Sequence, residues 1–196
     1  MPYLHCILES MILDSCQKLA KAAAAAAVTP GATSPAPPVY ETPRLSRRPA
    51  AVPLLAQQRA CFVYITQKPG RTLRGIFGTA LPQHRTLGEE IIRNAAAAAT
   101  SGSHGRLRRA DLPMLQFTVA VLDPLSRISH PAQLDPHLFG LYVVSDRGKS
   151  ALLMPQRPGI TTAADQIATA VREAGISMRQ EAVTMYRFRV EYHDEE

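Results

Sequence analysis

Two short turn sequences constrain the fold of this 196-residue chain most, because each reverses a run of β-forming residues. The first is KPG at 68–70, between the runs 61–66 and 72–79, and the second is DRG at 146–148. Glycine and proline supply the backbone angles that tight turns require, so both segments are typical of β-hairpins. Hairpin strands pair antiparallel, whereas a doubly wound fold needs parallel strands joined by helices. The sequence therefore predicts an α+β domain with a mixed or antiparallel sheet and packed helices.

Three segments are predicted as the helices that pack on this sheet. Residues 3–27 place apolar side chains at the spacing of one buried helical stripe and end in six alanines. A second helix is predicted from Leu87 to about Thr100, and a third in TTAADQIATAVREAGI, where a threonine is the cap and Gly175 the stop signal. A strand is predicted in DLPMLQFTVAVL, and a closing strand places Arg187 and Arg189 on one side.

The composition of residues 29–57 predicts a division of the chain into three parts. Seven prolines lie between Thr29 and Pro53, and proline removes the backbone donors that helices and sheets use. We therefore predict an N-terminal amphipathic helix over 1–28, a proline-rich connector over 29–57 and a core domain over 58–196.

The sequence argues against several protein classes. It has no run of eighteen apolar residues, and its N-terminal segment lacks the basic region that begins a signal peptide, so we predict a cytoplasmic protein without a membrane span. The three cysteines form no CxxC pair, and the six histidines form no HxH or HxxxH pair. We expect neither a metal site nor a cofactor.

Basic residues are concentrated in the middle of the chain. The formal net charge is +6, and from Arg44 to Arg109 twelve Lys and Arg residues face only two acids, Glu89 and Glu90. Such asymmetry indicates an anionic ligand or nucleic acid, or two oppositely charged surfaces that touch within one fold or a dimer. Few aromatic residues lie between the basic ones, and single-strand binding platforms need such residues.

The segment TLRGIFGTAL, residues 72–81, is the strongest candidate for a functional site. Glycines on both sides of Ile76 and Phe77 allow a bend or the close approach of a ligand to the backbone, and the guanidinium of Arg74 suits a carboxylate or a phosphate. The alternative is structural: the glycines permit a β-bulge, and Arg74 pairs with a buried acid such as Asp165 or Glu89.

The order of segments and this motif resemble the AMMECR domain family from about Gln58 to the C-terminus. The family motif Leu-Arg-Gly-Cys-Ile-Gly-Thr is matched at Leu73, Arg74, Gly75, Gly78 and Thr79. The resemblance implies an α+β fold with a larger and a smaller lobe and the motif in the cleft between them. It also implies membership of an AmmeMemoRadiSam-type system, with Memo-like and radical-SAM proteins as possible partners.

Departures from the family pattern limit the chemistry. The motif cysteine is replaced by Ile76, which offers no thiolate, and a histidine common before the glycine of the second hairpin is replaced by Phe139. Folding the first hairpin about its turn places Cys61 roughly across from Phe77, so Cys61 is a candidate for a relocated thiol.

Three hypotheses follow. The first is a binding component for an anionic small molecule or protein partner, with a ligand site formed by Arg74, Gly75, Gly78 and Thr79. The second is a nucleic-acid-binding module that uses the basic region 68–109. The third is an enzyme that uses Cys61.

Overall fold

The computed structural model describes residues 3–29, 35, 53–101 and 105–194, with the side chains of the first helix described from Cys16 onward. Within these ranges the α-helices are α1 (Tyr3–Val28), α2 (Leu87–Thr100) and α3 (Ala163–Glu173). The strands are β1 (Cys61–Gln67), β2 (Thr72–Gly78), β3 (Leu115–Leu122), β4 (Ser126–Ile128), β5 (Gly140–Ser145), β6 (Ser150–Leu153), β7 (Val183–Phe188) and β8 (Val190–Asp194). They form two antiparallel sheets, ordered β2-β1-β3-β8 and β4-β7-β5-β6, which confirms the α+β prediction.

The chain divides into a larger compact unit, residues 1–121 with 192–196, and a smaller one, residues 122–191. None of the helices in the described ranges combines the length and the apolar character that crossing a membrane requires. The predicted domain boundaries at residues 28 and 57 stay predictions, because most of the 29–57 connector lies outside the described residues.

In the larger unit, α2 and α1 pack over one face of the first sheet. Alternate residues of β1 (Cys61, Val63 and Ile65) are fully buried, as a strand with one covered face requires. The alanines of α2 and of the second half of α1 join the same core. Small side chains let these helices approach closely, which explains why alanine runs suit this core.

In the smaller unit, α3 packs on the second sheet around Leu141, Val143 and Ala170. The side chain of Thr162 accepts a hydrogen bond from the backbone N–H of Asp165 and caps α3. The ammonium of Lys149 lies 2.7 Å from Glu181 Oε1 and 2.7 Å from the carbonyl oxygen of Gly175, so it ties the second hairpin to the segment after α3.

Three details differ from the sequence-based expectations. The predicted closing strand is two strands, β7 and β8, which are separated by Arg189 and belong to different sheets. Phe77 pairs with Val63 instead of lying across from Cys61, because the hairpin closes on the pair Gln67 and Thr72 and the register then shifts by one residue between Thr66 and Ile65. The short strand β4, at Ser126–Ile128, was not predicted, since three residues carry too little periodicity to be recognised.

Candidate functional site

The motif lies on β2, an edge strand of the first sheet, and contains a β-bulge at Arg74. Ile65 pairs with Gly75 and Thr66 pairs with Leu73, so Arg74 is the extra residue of β2 between these pairs. A bulge of this kind re-aims a side chain and bends the strand locally. The structural alternative for the motif, a bulge, is therefore present.

Two polar groups hold the guanidinium of Arg74. Nη1 donates a hydrogen bond to Oε1 of Gln67, seven residues back across the hairpin. Nη2 lies 3.8 Å from Oδ2 of Asp111, which is an ion pair but too long for a hydrogen bond. The acid beside Arg74 is thus Asp111, and its carboxylate also accepts the backbone N–H of Arg108 at 2.9 Å.

Asp111 and Arg74 both retain contact with solvent. Their side chains are 32% and 22% exposed, so solvent screens the attraction between them. A guanidinium has five N–H donors in a fixed fork, and one of these is directed to Gln67. The arrangement orients Arg74 at the sheet edge and leaves it in reach of a solute.

Both motif glycines are required by close packing of protein against protein. A Cβ added at Gly75 would lie 2.3 Å from the carbonyl oxygen of Ala98, in α2. A Cβ added at Gly78 would lie 2.4 Å from Cγ of Phe62 and 2.5 Å from the carbonyl oxygen of Cys61. Real Cβ atoms do not approach other atoms this closely, so the glycines let β2 lie against its neighbours.

Thr79, the last residue of the motif, belongs to a network around a buried carboxylate. Glu90 of α2 is fully buried, and its Oε2 accepts the backbone N–H groups of Gln83 and His84 at 2.9 and 3.0 Å. Its Oε1 lies 3.1 Å from the hydroxyl of Thr79. A buried carboxylate needs such donors, and in return it fixes the loop that follows β2.

Asn94 extends this network to Cys61. Its amide nitrogen donates to the carbonyl oxygen of Cys61 at 3.0 Å and lies 3.4 Å from the sulfur. Burial raises the pKa of the Cys61 thiol to about 12, so the thiol stays protonated at neutral pH. A thiol that is fully buried and protonated fits a packing role in the core better than a nucleophile.

Ile76, which stands where the family pattern has a cysteine, lies on the sheet face opposite the helices. It pairs with Tyr64 of β1, and residues directly opposite each other share a face. Burial, and next the charge of Tyr192, raise the pKa of Tyr64 to about 12, so its phenol is a neutral hydrogen-bonding group. This face therefore combines apolar and neutral polar groups around the position of the missing thiol.

The loop fixed by Glu90 also borders a cavity of about 520 Å³. Gln83, His84 and Arg85 line it from the loop, and Glu89 and Arg93 line it from α2. Sequence reasoning named Glu90 only in the charge balance and did not identify its role. The available signal was an acid inside an apolar helix face, one turn before Asn94.

No group of three or more His, Cys, Asp or Glu side chains that could hold a metal ion occurs within the described ranges.

The sequence profile of the AMMECR1 family matches residues 17–193. A protein of Thermotoga maritima is 33% identical over 139 residues, which are 70% of this chain and 79% of that protein. A protein of Clostridium acetobutylicum is 32% identical over 134 residues, which are 68% of this chain and 28% of that protein.

The fold is similar to the crystal structure of an uncharacterized protein from Pyrococcus horikoshii. The TM-score is 0.74 at 23% sequence identity, and the alignment covers 93% of this chain and 90% of that one. Because the AMMECR1 profile matches residues 17–193, most of its length, this chain belongs to the AMMECR1 family.

Proposed function

We propose that this AMMECR1-family protein is a binding component that recognises an anionic group of a small molecule or of a partner protein through Arg74. The observation that carries the proposal is the setting of that side chain: a β-bulge aims it, Gln67 orients it and solvent still reaches it. An oriented guanidinium is suited to bind carboxylate or phosphate, because little side-chain entropy remains to be lost.

The surroundings of the motif favour binding over thiol catalysis. Ile76 stands where the family pattern has its thiol, and Cys61 is buried with a raised pKa. Gly75, Gly78 and Thr79 contact other parts of the protein, so their contribution to a ligand site is to hold the strand and loop that carry Arg74.

The proposed setting is an AmmeMemoRadiSam-type pathway with Memo-like and radical-SAM proteins as partners. The family resemblance supports it.

A second candidate is nucleic-acid binding by the basic end of the larger unit. Lys68, in the hairpin turn, donates its backbone N–H to the carbonyl oxygen of Met114, which brings the turn next to the segment that follows Arg108 and Arg109. These basic side chains are exposed. Binding of this kind weakens steeply as salt rises, and this property separates the second candidate from the first.

Two variants of the same hairpin test the first proposal. Arg74→Gln and Arg71→Gln each remove one positive charge, and Arg71 is exposed in the turn. Each variant is titrated with inorganic phosphate and with citrate at matched ionic strength, with the backbone amide signal of Gly75 as the readout, and then with purified Memo-like and radical-SAM proteins from the same organism. We expect Arg74→Gln to weaken binding about tenfold, the size of a hydrogen bond to a charged group. Arg71→Gln should change it by less than about twofold, as for a screened surface charge.

A correctly folded Arg74→Gln protein that binds every one of these probes like the wild type contradicts the proposal. If both variants weaken anion binding equally, the net charge of the hairpin determines binding and Arg74 is not a specific site. Tight binding of single-stranded RNA that disappears with added salt, without binding of the other probes, assigns the surface to nucleic acid.

A further inference from the structure

The smaller unit contains an arginine pair that the family motif does not include. Arg187 is the fifth residue of β7, and Arg189 follows the last residue of that strand. Their guanidinium carbons lie 4.5 and 5.3 Å from the ring centroid of Phe139. Both distances are typical of cation–π contacts.

The backbone on both sides of Phe139 is fixed. Its N–H donates to the carbonyl oxygen of Asp135 at 2.8 Å, and its carbonyl oxygen accepts from the amide of the buried Gln166 at 3.0 Å. The next residue, Gly140, pairs with Phe188 across β5 and β7, and a Cβ there would lie 2.3 Å from the Phe188 ring. The ring is therefore a rigid support for both arginines.

The way these arginines are held leaves their charge available. An aromatic ring contacts the flat face of a guanidinium, and the N–H groups point outward along its edges. Arg187 also donates to the carbonyl oxygen of Gln133, a neutral acceptor. Neither the ring nor the carbonyl oxygen carries a negative charge that would offset the charge of a guanidinium. Arg74 differs, because the carboxylate of Asp111 lies beside it.

The two positive charges are close to each other. Because both approach one ring centroid, they lie within about one Debye length, ~8 to 10 Å at physiological ionic strength. Like charges at this spacing repel each other, and an anion that contacts both guanidiniums relieves that repulsion.

The arginines line a groove of about 560 Å³, within the range of small-molecule sites. Its lining includes Pro124, Ser126 and one carboxylate, Asp123, whose backbone N–H donates to the carbonyl oxygen of Arg189. Two guanidiniums against one carboxylate leave a net positive site with a hydroxyl at its rim.

We propose that this groove binds the phosphate group of a small molecule, held by Arg187 and Arg189 over Phe139. A phosphate has more acceptor oxygens than a carboxylate and can accept hydrogen bonds from two guanidinium forks at once. The site is independent of Arg74 and goes beyond the function proposed above.

The test is a titration of the full chain with inorganic phosphate at constant ionic strength, followed by backbone amide NMR. We expect phosphate to shift the amide signals of residues 126, 139–140 and 187–189. Arg189→Gln should weaken this binding about tenfold, the size of one hydrogen bond to a charged group. Phe139→Leu keeps an apolar side chain but removes the ring, and it should also weaken binding. Arg172→Gln, which removes an exposed charge from α3, is the matched control and should have no effect.

Four results overturn the proposal: no phosphate-specific shift in these residues, acetate binding more tightly than phosphate, Phe139→Leu binding like the wild type, or equal weakening by Arg172→Gln. Arg187→Gln is a second variant if Arg189→Gln does not fold. A response that is lost in Arg74→Gln and kept in Arg189→Gln overturns this site and leaves the Arg74 proposal standing.

Discussion

Arg74 and the pair Arg187 and Arg189 are the same kind of side chain held in two different ways. Arg74 is oriented by an amide and lies 3.8 Å from a carboxylate, so part of its charge is offset within the protein. The pair rests on an aromatic ring and a main-chain carbonyl, which orient a guanidinium without offsetting its charge. The partner of an arginine, more than its exposure, decides how much charge remains for a ligand.

The same contrast extends to the regions around these arginines. The motif region of the larger unit directs its polar and small residues inward, as Gly75 and Glu90 show. The groove of the smaller unit is lined by two guanidiniums, one hydroxyl and one carboxylate. Substitutions of these inward-directed residues of the motif region should therefore lower the free energy of unfolding. Substitutions of the groove residues should weaken anion binding.

The largest expected effect is that of Gly75→Ala. The added methyl group would meet the backbone of α2, which cannot move without displacing the helix. We expect the free energy of unfolding to fall by about 3 kcal/mol, as for severe overpacking. Urea denaturation measures it, with Thr72→Ala at the exposed start of β2 as a control expected to change stability by less than about 0.5 kcal/mol. A stable Gly75→Ala protein would show that β2 is not packed as described.

Glu90→Gln should have the next largest effect. An amide nitrogen would replace one of the two carboxylate oxygens and the remaining oxygen would be uncharged, so charge-assisted hydrogen bonds would be lost inside the protein. We expect a loss of about 2 to 3 kcal/mol in the free energy of unfolding. Its neighbour Glu89 accepts the N–H of Arg85 at a more exposed position, so Glu89→Gln is the matched control with a smaller loss. Equal losses in both variants would count against the buried network.

Acid should weaken the smaller unit through Glu181. The hydrogen bond from Lys149, and next that from the N–H of Ser177, lower the pKa of this carboxyl from 4.5 to about 2. A carboxyl with a lowered pKa in the folded state stabilises the fold above its unfolded value, so this contribution is lost as the pH falls from 4.5 towards 2. Unfolding curves across that range should show less pH dependence in Lys149→Gln than in the wild type. If both proteins respond equally, the Lys149–Glu181 pair is not the source.

The smallest expected effect tests the role of the carboxylate beside Arg74. Asp111→Asn removes the negative charge but keeps an oxygen that can accept the N–H of Arg108. Arg74 would then have no carboxylate in contact with its guanidinium. Its affinity for phosphate should rise about threefold, which corresponds to the interaction energy of a partly screened ion pair. Amide NMR titration measures it. If affinity falls instead, Asp111 serves to position Arg74 and does not compete with the anion.

The sequence predicted the elements that local chemistry determines. The turn residues placed both hairpins, and the capping threonine and Gly175 placed α3. The alternation of side chains along the closing strand also predicted that Arg187 and Arg189 lie on one side. Their common support was not, because Phe139 is far from them in the chain and approaches only when β5 pairs with β7.

Details of the motif depended on packing that local patterns do not contain. The glycines suggested a bulge, but its position at Arg74 follows from how β2 meets β1 and α2. The carboxylate beside Arg74 belongs to Asp111, in a short segment before β3, and no spacing rule connects the two. The role of Glu90 was missed for a similar reason, since its donors come from loop backbone.

A reciprocal phosphate titration tests most directly the central claim that two independently held sets of arginines bind anions. The amide of Gly75 reports on Arg74, and the amide of Gly140 reports on the groove. At constant ionic strength, Arg74→Gln should lose the response at Gly75 and keep that at Gly140, and Arg189→Gln should show the reverse. Responses that are absent from the wild type, or that disappear together in both variants, would contradict the claim.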